Sequence, residues 1–167
     1  MTGKHQTEPA CETCDCGNST EEAVALGCKY DSLAAAWLPP HCRDDELTAE
    51  FERAGPGGKW TYWVDIEHAK EISIEDISKY ANNQELRFYM TGEWHFYHCI
   101  YYWRKEHRAR FNGKIVEPRS DSEEHIKHCG QIFLEPGNHT VAGVALNTDT
   151  DYGPRTPSQE KECYKIR

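Results

Sequence analysis

The stretch 93–110, EWHFYHCIYYWRKEHRAR, contains neither glycine nor proline. Thr91 is suited to cap a helix beginning there, and apolar positions nearly encircle its first half. The pattern therefore predicts a helix through the middle of a domain rather than along its surface. Within it stands His95-Phe96-Tyr97-His98-Cys99. The same pattern, His-x-x-His-Cys, returns at His125-Ile126-Lys127-His128-Cys129, in a segment that Asp121 or Ser122 with Glu123 and Glu124 opens as a helix and Pro136-Gly137 must end. Residues at i, i+3 and i+4 share one helix face, so each copy presents two imidazoles and one sulfur together. The connection, 100–124, has room for the rest of the first helix, a turn at Asn112-Gly113 and a return. An antiparallel pair of helices would bring four His and two Cys into the core.

Four imidazoles converging without a metal would bury many polar nitrogens, each needing a partner, so the duplication points to metal ligation by His95, His98, His125 and His128. The cysteines leave two readings open. As thiolates they make a His/Cys site suited to zinc or to a type of copper centre; as a disulfide, Cys99 to Cys129 ties the helices together and leaves the four His as ligands. An oxidising compartment favours the disulfide. Imidazoles alone suit copper better than magnesium or calcium, with zinc the main rival and one or two ions per chain. Tyr102 and Glu106 fall near the face of His95 and Cys99, as candidates for contact behind the ligands or with substrate. His107 points elsewhere, and His41, His68 and His139 are additional ligand candidates that no spacing supports.

At 167 residues the chain suits one domain with a hydrophobic core. Eight Cys in so short a chain point to disulfides formed in an oxidising space, and most should be paired. Cys99–Cys129 is expected, and Cys28–Cys42 is suggested by proximity around Pro39-Pro40. The spacing Cys11-x-x-Cys14-x-Cys16 lacks the second pair of a zinc module and reads as disulfides. Asn18-Ser19-Thr20 and Asn138-His139-Thr140 are glycosylation acceptors that agree with that compartment. The run Phe96 to Trp103 is too short to span a bilayer, and the first residues are too polar for a signal peptide. A secretory-lumen or secreted protein is expected, its signal or membrane anchor removed. The net charge of -9 repels a phosphate backbone, so no nucleic-acid partner is expected; Arg104, Lys105, Arg108 and Arg110 read as the solvated end of a helix.

Other elements follow from local signals. Ser19-x-x-Glu22 caps a helix over Glu21 to Leu26, stopped by Gly27; Asp44 or Asp45 caps one to Ala54; Ser73 starts a third, ended by Asn82-Asn83. Lys59 to Asp65 alternates Trp60, Tyr62 and Val64 against Thr61, Trp63 and Asp65, the pattern of a strand, which Val141 to Leu146 would pair with. Leu86 to Gly92 is ambiguous between strand and loop.

The paired His-x-x-His-Cys motifs, Cys16-Gly17-Asn18, Gly27-Cys28, Trp37-x-Pro39-Pro40-x-Cys42 and Trp103-Arg104-Lys105-x-His107-Arg108 together resemble the fungal UstYa-like family over residues 16–134. The resemblance implies secondary-metabolite or modified-peptide biosynthesis by a copper-dependent oxidase, oxidative cyclase or C–H halogenase, on a small-molecule or peptide substrate. It assigns the four His as ligands and Cys99 and Cys129 as their motif partners, and implies membrane association through an anchor preceding the sequence. The expected architecture is mostly α with a small β element: one disulfide-rich domain built round two antiparallel helices. Residues 1–15 would be a flexible segment, 16–134 the metal-binding catalytic domain and 135–167 an irregular tail packed on it. Trp94, Tyr97 and Tyr102 are expected to form an aromatic substrate surface. The competing readings are a secreted binding or scaffold protein with a structural zinc, and a zinc hydrolase using Glu93, Glu106, Glu123 or Glu124 as acid or base.

Overall fold

Each helix starts at a side chain that satisfies an orphan backbone donor. A computed structural model describes residues 12–149. In it Ser19 accepts from Glu22 N to open α1 (Thr20–Ala25), and Asp44 accepts from Leu47 N to open α2 (Asp45–Arg53). Ser73 opens α3 (Ile74–Ser78), Thr91 opens the long α4 (Gly92–Asn112), and Ser122 opens α5 (Glu123–Leu134). At α1 the carboxylate of Glu22 reaches back to Asn18 N, one residue before the cap. Gly113 ends α4 at φ 71°, a left-handed position that suits glycine.

The strands are short and form two separate antiparallel pairs. β1 (Lys29–Asp31) pairs with β2 (Ala36–Leu38), and β3 (Phe88–Thr91) pairs with β4 (His139–Ala142). The region ambiguous between strand and loop is thus β3. The strand expected over 59–65 does not form. Trp60 and Tyr62 are buried as the alternation requires, but only Trp63 makes β-bridges, to Glu71 and Tyr89. The Asp65 carboxylate accepts from Ala69 N and Lys70 N, turning the chain before a ladder can extend. The expected pairing of 141–146 with that segment is likewise replaced: β4 takes β3, and Ala145 bridges Ala36.

The core is aromatic between α2 and α4. Phe51 meets Trp60, Trp94 and Tyr101 at ring centroid distances of 5.7, 5.6 and 5.4 Å, and Trp60 Nε1 donates to Phe51 O. Three of the four bases after the aromatic run are fastened rather than solvated. Arg104 forms a two-point contact with Glu50, holding that carboxyl down at about 2, and Arg108 pairs with Asp44 and Glu46. Lys105 is buried against Glu117 at 2.7 Å. The run of bases is therefore largely a set of clamps holding α4 to its neighbours.

Disulfides join Cys14–Cys42, Cys16–Cys28 and Cys99–Cys129. The Cys28–Cys42 pairing is not formed. Those two residues flank the β1–β2 hairpin, and each takes its partner from the incoming segment, where Cys16 N donates to Leu146 O and Cys14 N to Asp149. The chain is thus anchored from Cys14 onward, inside the segment 1–15 expected to be flexible; residues 1–11 of that segment, with Cys11, lie outside the described residues, as does Cys163. Of the expected irregular tail, 139–142 is a strand and 150–167 lies outside the described residues. Among the described residues no helix is long and apolar enough to cross a membrane.

Candidate metal centre

The loop after α5 closes over the start of α4 because Gly92 has no side chain: a Cβ there would lie 1.8 Å from Gly137 O. Gly92 N donates to Asn138 O, and β4 follows at once. A cavity of about 600 Å³ is left between the α4 N-terminal half, α5, β4 and the β1–β2 connection. His95, His98, His125 and His128 all line it.

The four imidazoles stand as two pairs. His98 Nε2 lies 3.4 Å from His125 Nε2, and His95 Nε2 lies 3.0 Å from His128 Nε2. Cys99 and Cys129, joined as a disulfide, fix α4 to α5 beside them. Among the described residues no three His, Cys, Asp or Glu side chains are grouped to hold one ion.

One ring of the inner pair has its tautomer set. His98 Nδ1 lies 2.7 Å from Leu33 O, which can only accept, so Nδ1 carries the proton and Nε2 a lone pair. The His125 ring is hydrogen-bonded to the Ser120 backbone, and its Nε2 faces His98. The His98 Nε2 lone pair therefore points at His125 Nε2 across 3.4 Å. Burial, then the neighbouring imidazoles, push the His98 pKa well below its ordinary value; burial is also the main cause lowering His125. Burial followed by His128 and His125 brings His95 to about 4. At neutral pH these rings hold no extra proton between the facing nitrogens.

A cation between the nitrogens would take that place. Metal–imidazole bonds of about 2.0–2.1 Å put two adjacent ligands roughly 2.8–3.4 Å apart, the range both pairs occupy. Ligating imidazoles usually have their other nitrogen tied to a carbonyl or carboxylate, as the inner pair does. The donor set thus fits copper or zinc, both well served by imidazole.

Tyr102 lies behind the inner pair rather than in the cavity. Its ring sits 4.8 Å from the His98 ring and 5.1 Å from that of His125, and its hydroxyl donates to Glu117. It is fully buried and meets no substrate space. Glu117, also fully buried, was missed by sequence reasoning; the one signal was a lone acid in the apolar run Ile115-Val116-Glu117-Pro118. Burial would raise its pKa, but Lys105 and the Tyr102 hydrogen bond bring it below the usual value, so it stands ionised. Glu106 does not line the cavity, and burial raises its pKa. Trp94 does line it, stacked on His98 at 5.0 Å, whereas Tyr97 packs on Trp60. Of the three aromatic residues expected to form a substrate surface, Trp94 alone lines the cavity.

The remaining candidates scatter. His139 lines the cavity; His41 is bonded to Thr13 O, and His68 stacks on Trp63 at 3.9 Å. His107 packs on Phe111. Glu93, Glu123 and Glu124 are exposed and outside the cavity wall, where Glu135 is the only acid among the described residues. Asn18 and Asn138 are both exposed, as an acceptor asparagine must be.

Over 124 residues, 72% of the chain, the protein is 30% identical to phomopsin biosynthesis cluster protein B of Diaporthe leptostromiformis, and equally to cluster protein B' of the same fungus. The match covers 36% of each, so the chain spans about a third of the length of these curated relatives. No family model matches the chain, and no solved structure does. The protein is therefore similar, over most of the chain, to one segment of a fungal biosynthesis-cluster protein.

Proposed function

We propose that the protein is a copper-dependent oxidative tailoring enzyme of fungal secondary metabolism, an oxidase, oxidative cyclase or C–H halogenase acting on a small metabolite or modified peptide. The observation that carries this reading is the inner pair, two imidazole Nε2 atoms facing across 3.4 Å at the wall of a cavity of about 600 Å³. The similarity to phomopsin-cluster proteins supports the biosynthetic setting. His95, His98, His125 and His128 would hold the metal, one or two ions per chain, on the two antiparallel helices. Copper supplies a centre that passes between two oxidation states and so allows one-electron chemistry.

The chain's own residues do the rest. Leu33 O and the Ser120 backbone hold the His98 and His125 rings with Nε2 turned inward. Tyr102 and Glu117 fill the space behind and keep water from that side. Trp94, Met90, Ile132 and Val141 give the substrate an apolar wall. A structural zinc would instead occupy a closed site with four protein ligands, whereas both pairs border open space. The disulfides suit a secretory compartment, where Asn18 and Asn138 would carry glycans and an anchor would associate the protein with a membrane.

The test supplies the product of the neighbouring biosynthetic step to the protein with copper or zinc, with and without oxygen or peroxide, and follows substrate mass. Loss of two hydrogens, or gain of oxygen or halogen, only with copper and oxidant is expected. Equal turnover with zinc in anaerobic buffer would overturn the redox reading.

A further inference from the structure

The cavity wall carries two arginines that the metal reading does not use. Arg119 Nη2 donates to Ala34 O at 3.1 Å, and Arg87 Nη1 donates to Gln84 O and Leu86 O at 2.6 and 2.8 Å. Arg87 lies across Gly143, where a Cβ would come within 2.9 Å of its Nη1. Both guanidinium groups are thus oriented by neutral carbonyls, and neither has an ion pair among the described residues. Arg43, Arg104 and Arg108, none of which lines the cavity, each meet a carboxylate instead.

This placement runs against the rest of the chain. Acids outnumber bases by 28 to 19, yet among the described residues this cavity is lined by two guanidinium groups without an ion pair and by one acid, Glu135. Arg119 is half-buried beside an apolar wall and Arg87 is exposed at the cavity rim, and the planar guanidinium matches a carboxylate at two points. Arg119 sits one residue before Ser120, which touches the same cavity and bonds the His125 ring, so an anion on Arg119 lies next to the inner pair.

We propose that Arg119, assisted by Arg87, is a carboxylate-binding subsite that fixes an acid-bearing substrate beside the imidazole pairs. The substrate is then a carboxylic acid with an apolar portion, its charge on Arg119 and its body along Trp94, Met90 and Ile132. The inference rests on reading the cavity as a substrate chamber, and its test uses metal-free protein so that failure to bind copper would leave the result unaffected.

The probes are phenylacetate and its neutral isostere phenylacetamide, titrated into the metal-free full chain near neutral pH while the backbone amide signals of Ala34, Ser120 and Gly143 are followed by NMR. Phenylacetate should bind about 10-fold more tightly than the amide. Arg119→Gln should abolish that preference, Arg119→Lys should keep part of it and Arg87→Gln should weaken it. If Arg119→Gln disturbs the fold, the wild-type comparison and Arg87→Gln still decide. Equal binding of acid and amide, no binding of the acid at millimolar concentration, or a preference unchanged in both glutamine variants would overturn the proposal. Copper titration of the same samples reports separately on the metal reading.

Discussion

The inner imidazole pair, His98 and His125, and the outer pair, His95 and His128, lie one turn apart on the same two helices but are built differently. The inner rings have their second nitrogens tied to backbone, Trp94 stacked on one of them and Tyr102 against both, with the Glu117–Lys105 ion pair behind. The outer pair has a closer nitrogen–nitrogen contact, 3.0 Å, but His128 is exposed and no backbone carbonyl among the described residues orients either ring. Identical spacing in sequence thus yields one preorganised pair and one adaptable pair. The difference comes from what the fold puts behind each.

Breaking the support should have the largest effect. Glu117→Ala leaves the buried Lys105 ammonium without its partner and removes the acceptor of Tyr102, so it should cost about 3–5 kcal/mol, read by denaturant unfolding. Replacing Lys105 and Glu117 together by apolar residues should cost clearly less, because no lone charge remains. If the two variants were equally damaging, charge pairing would not be what holds this region.

Removing Cys99 and Cys129 together should cost about 2–4 kcal/mol and loosen both pairs, seen as weaker copper binding by each. The pairs should then separate in their own variants. Replacing His95 and His128 by Ala should lower copper affinity with little loss of stability, whereas replacing His98 and His125 should lower both, as read by titration and thermal unfolding. Equal thermal effects would erase the distinction between the pairs.

Acid should act through the same groups in the metal-free protein. The folded-state pKa values of His95, His98 and His125 lie below the ordinary value of 6.5, so as pH falls the unfolded chain takes up protons first. Stability is complete above about pH 7.5 and declines through and below about 6.5, until His95 protonates in the folded state near 4. A Tm several degrees lower at about pH 5 than at about pH 7.5 is expected, and most of that loss should vanish when His98 and His125 are both replaced. The smallest effect belongs to Tyr102→Phe, which leaves the ion pair intact and should cost about 1 kcal/mol through one lost hydrogen bond.

How far these features were legible in the sequence follows their range along the chain. Ser19, Asp44, Ser73, Thr91 and Ser122 cap through donors within three residues, and the helices they start could be read locally. The strands are three or four residues long and owe their partners to tertiary contacts, so Lys59–Asp65 had the alternation of a strand without becoming one, while Lys29–Asp31 and Ala36–Leu38 went unread. Spacing placed two His on one face of each helix, but it could not say that they meet as two pairs, nor that Glu117, reached through Tyr102, stands behind one of them. Disulfide partners depended on the path of residues 12–17, which no local signal encodes.

The central claim is that paired imidazoles bind copper, and electron paramagnetic resonance of the copper-loaded protein, with elemental analysis, tests it most directly. The account predicts stoichiometric copper with a nitrogen-ligated spectrum in the wild type, altered but present without His95 and His128, and lost when all four histidines are replaced. Full occupancy with an unchanged spectrum in the variant lacking all four, or no copper bound by the wild type, would contradict it.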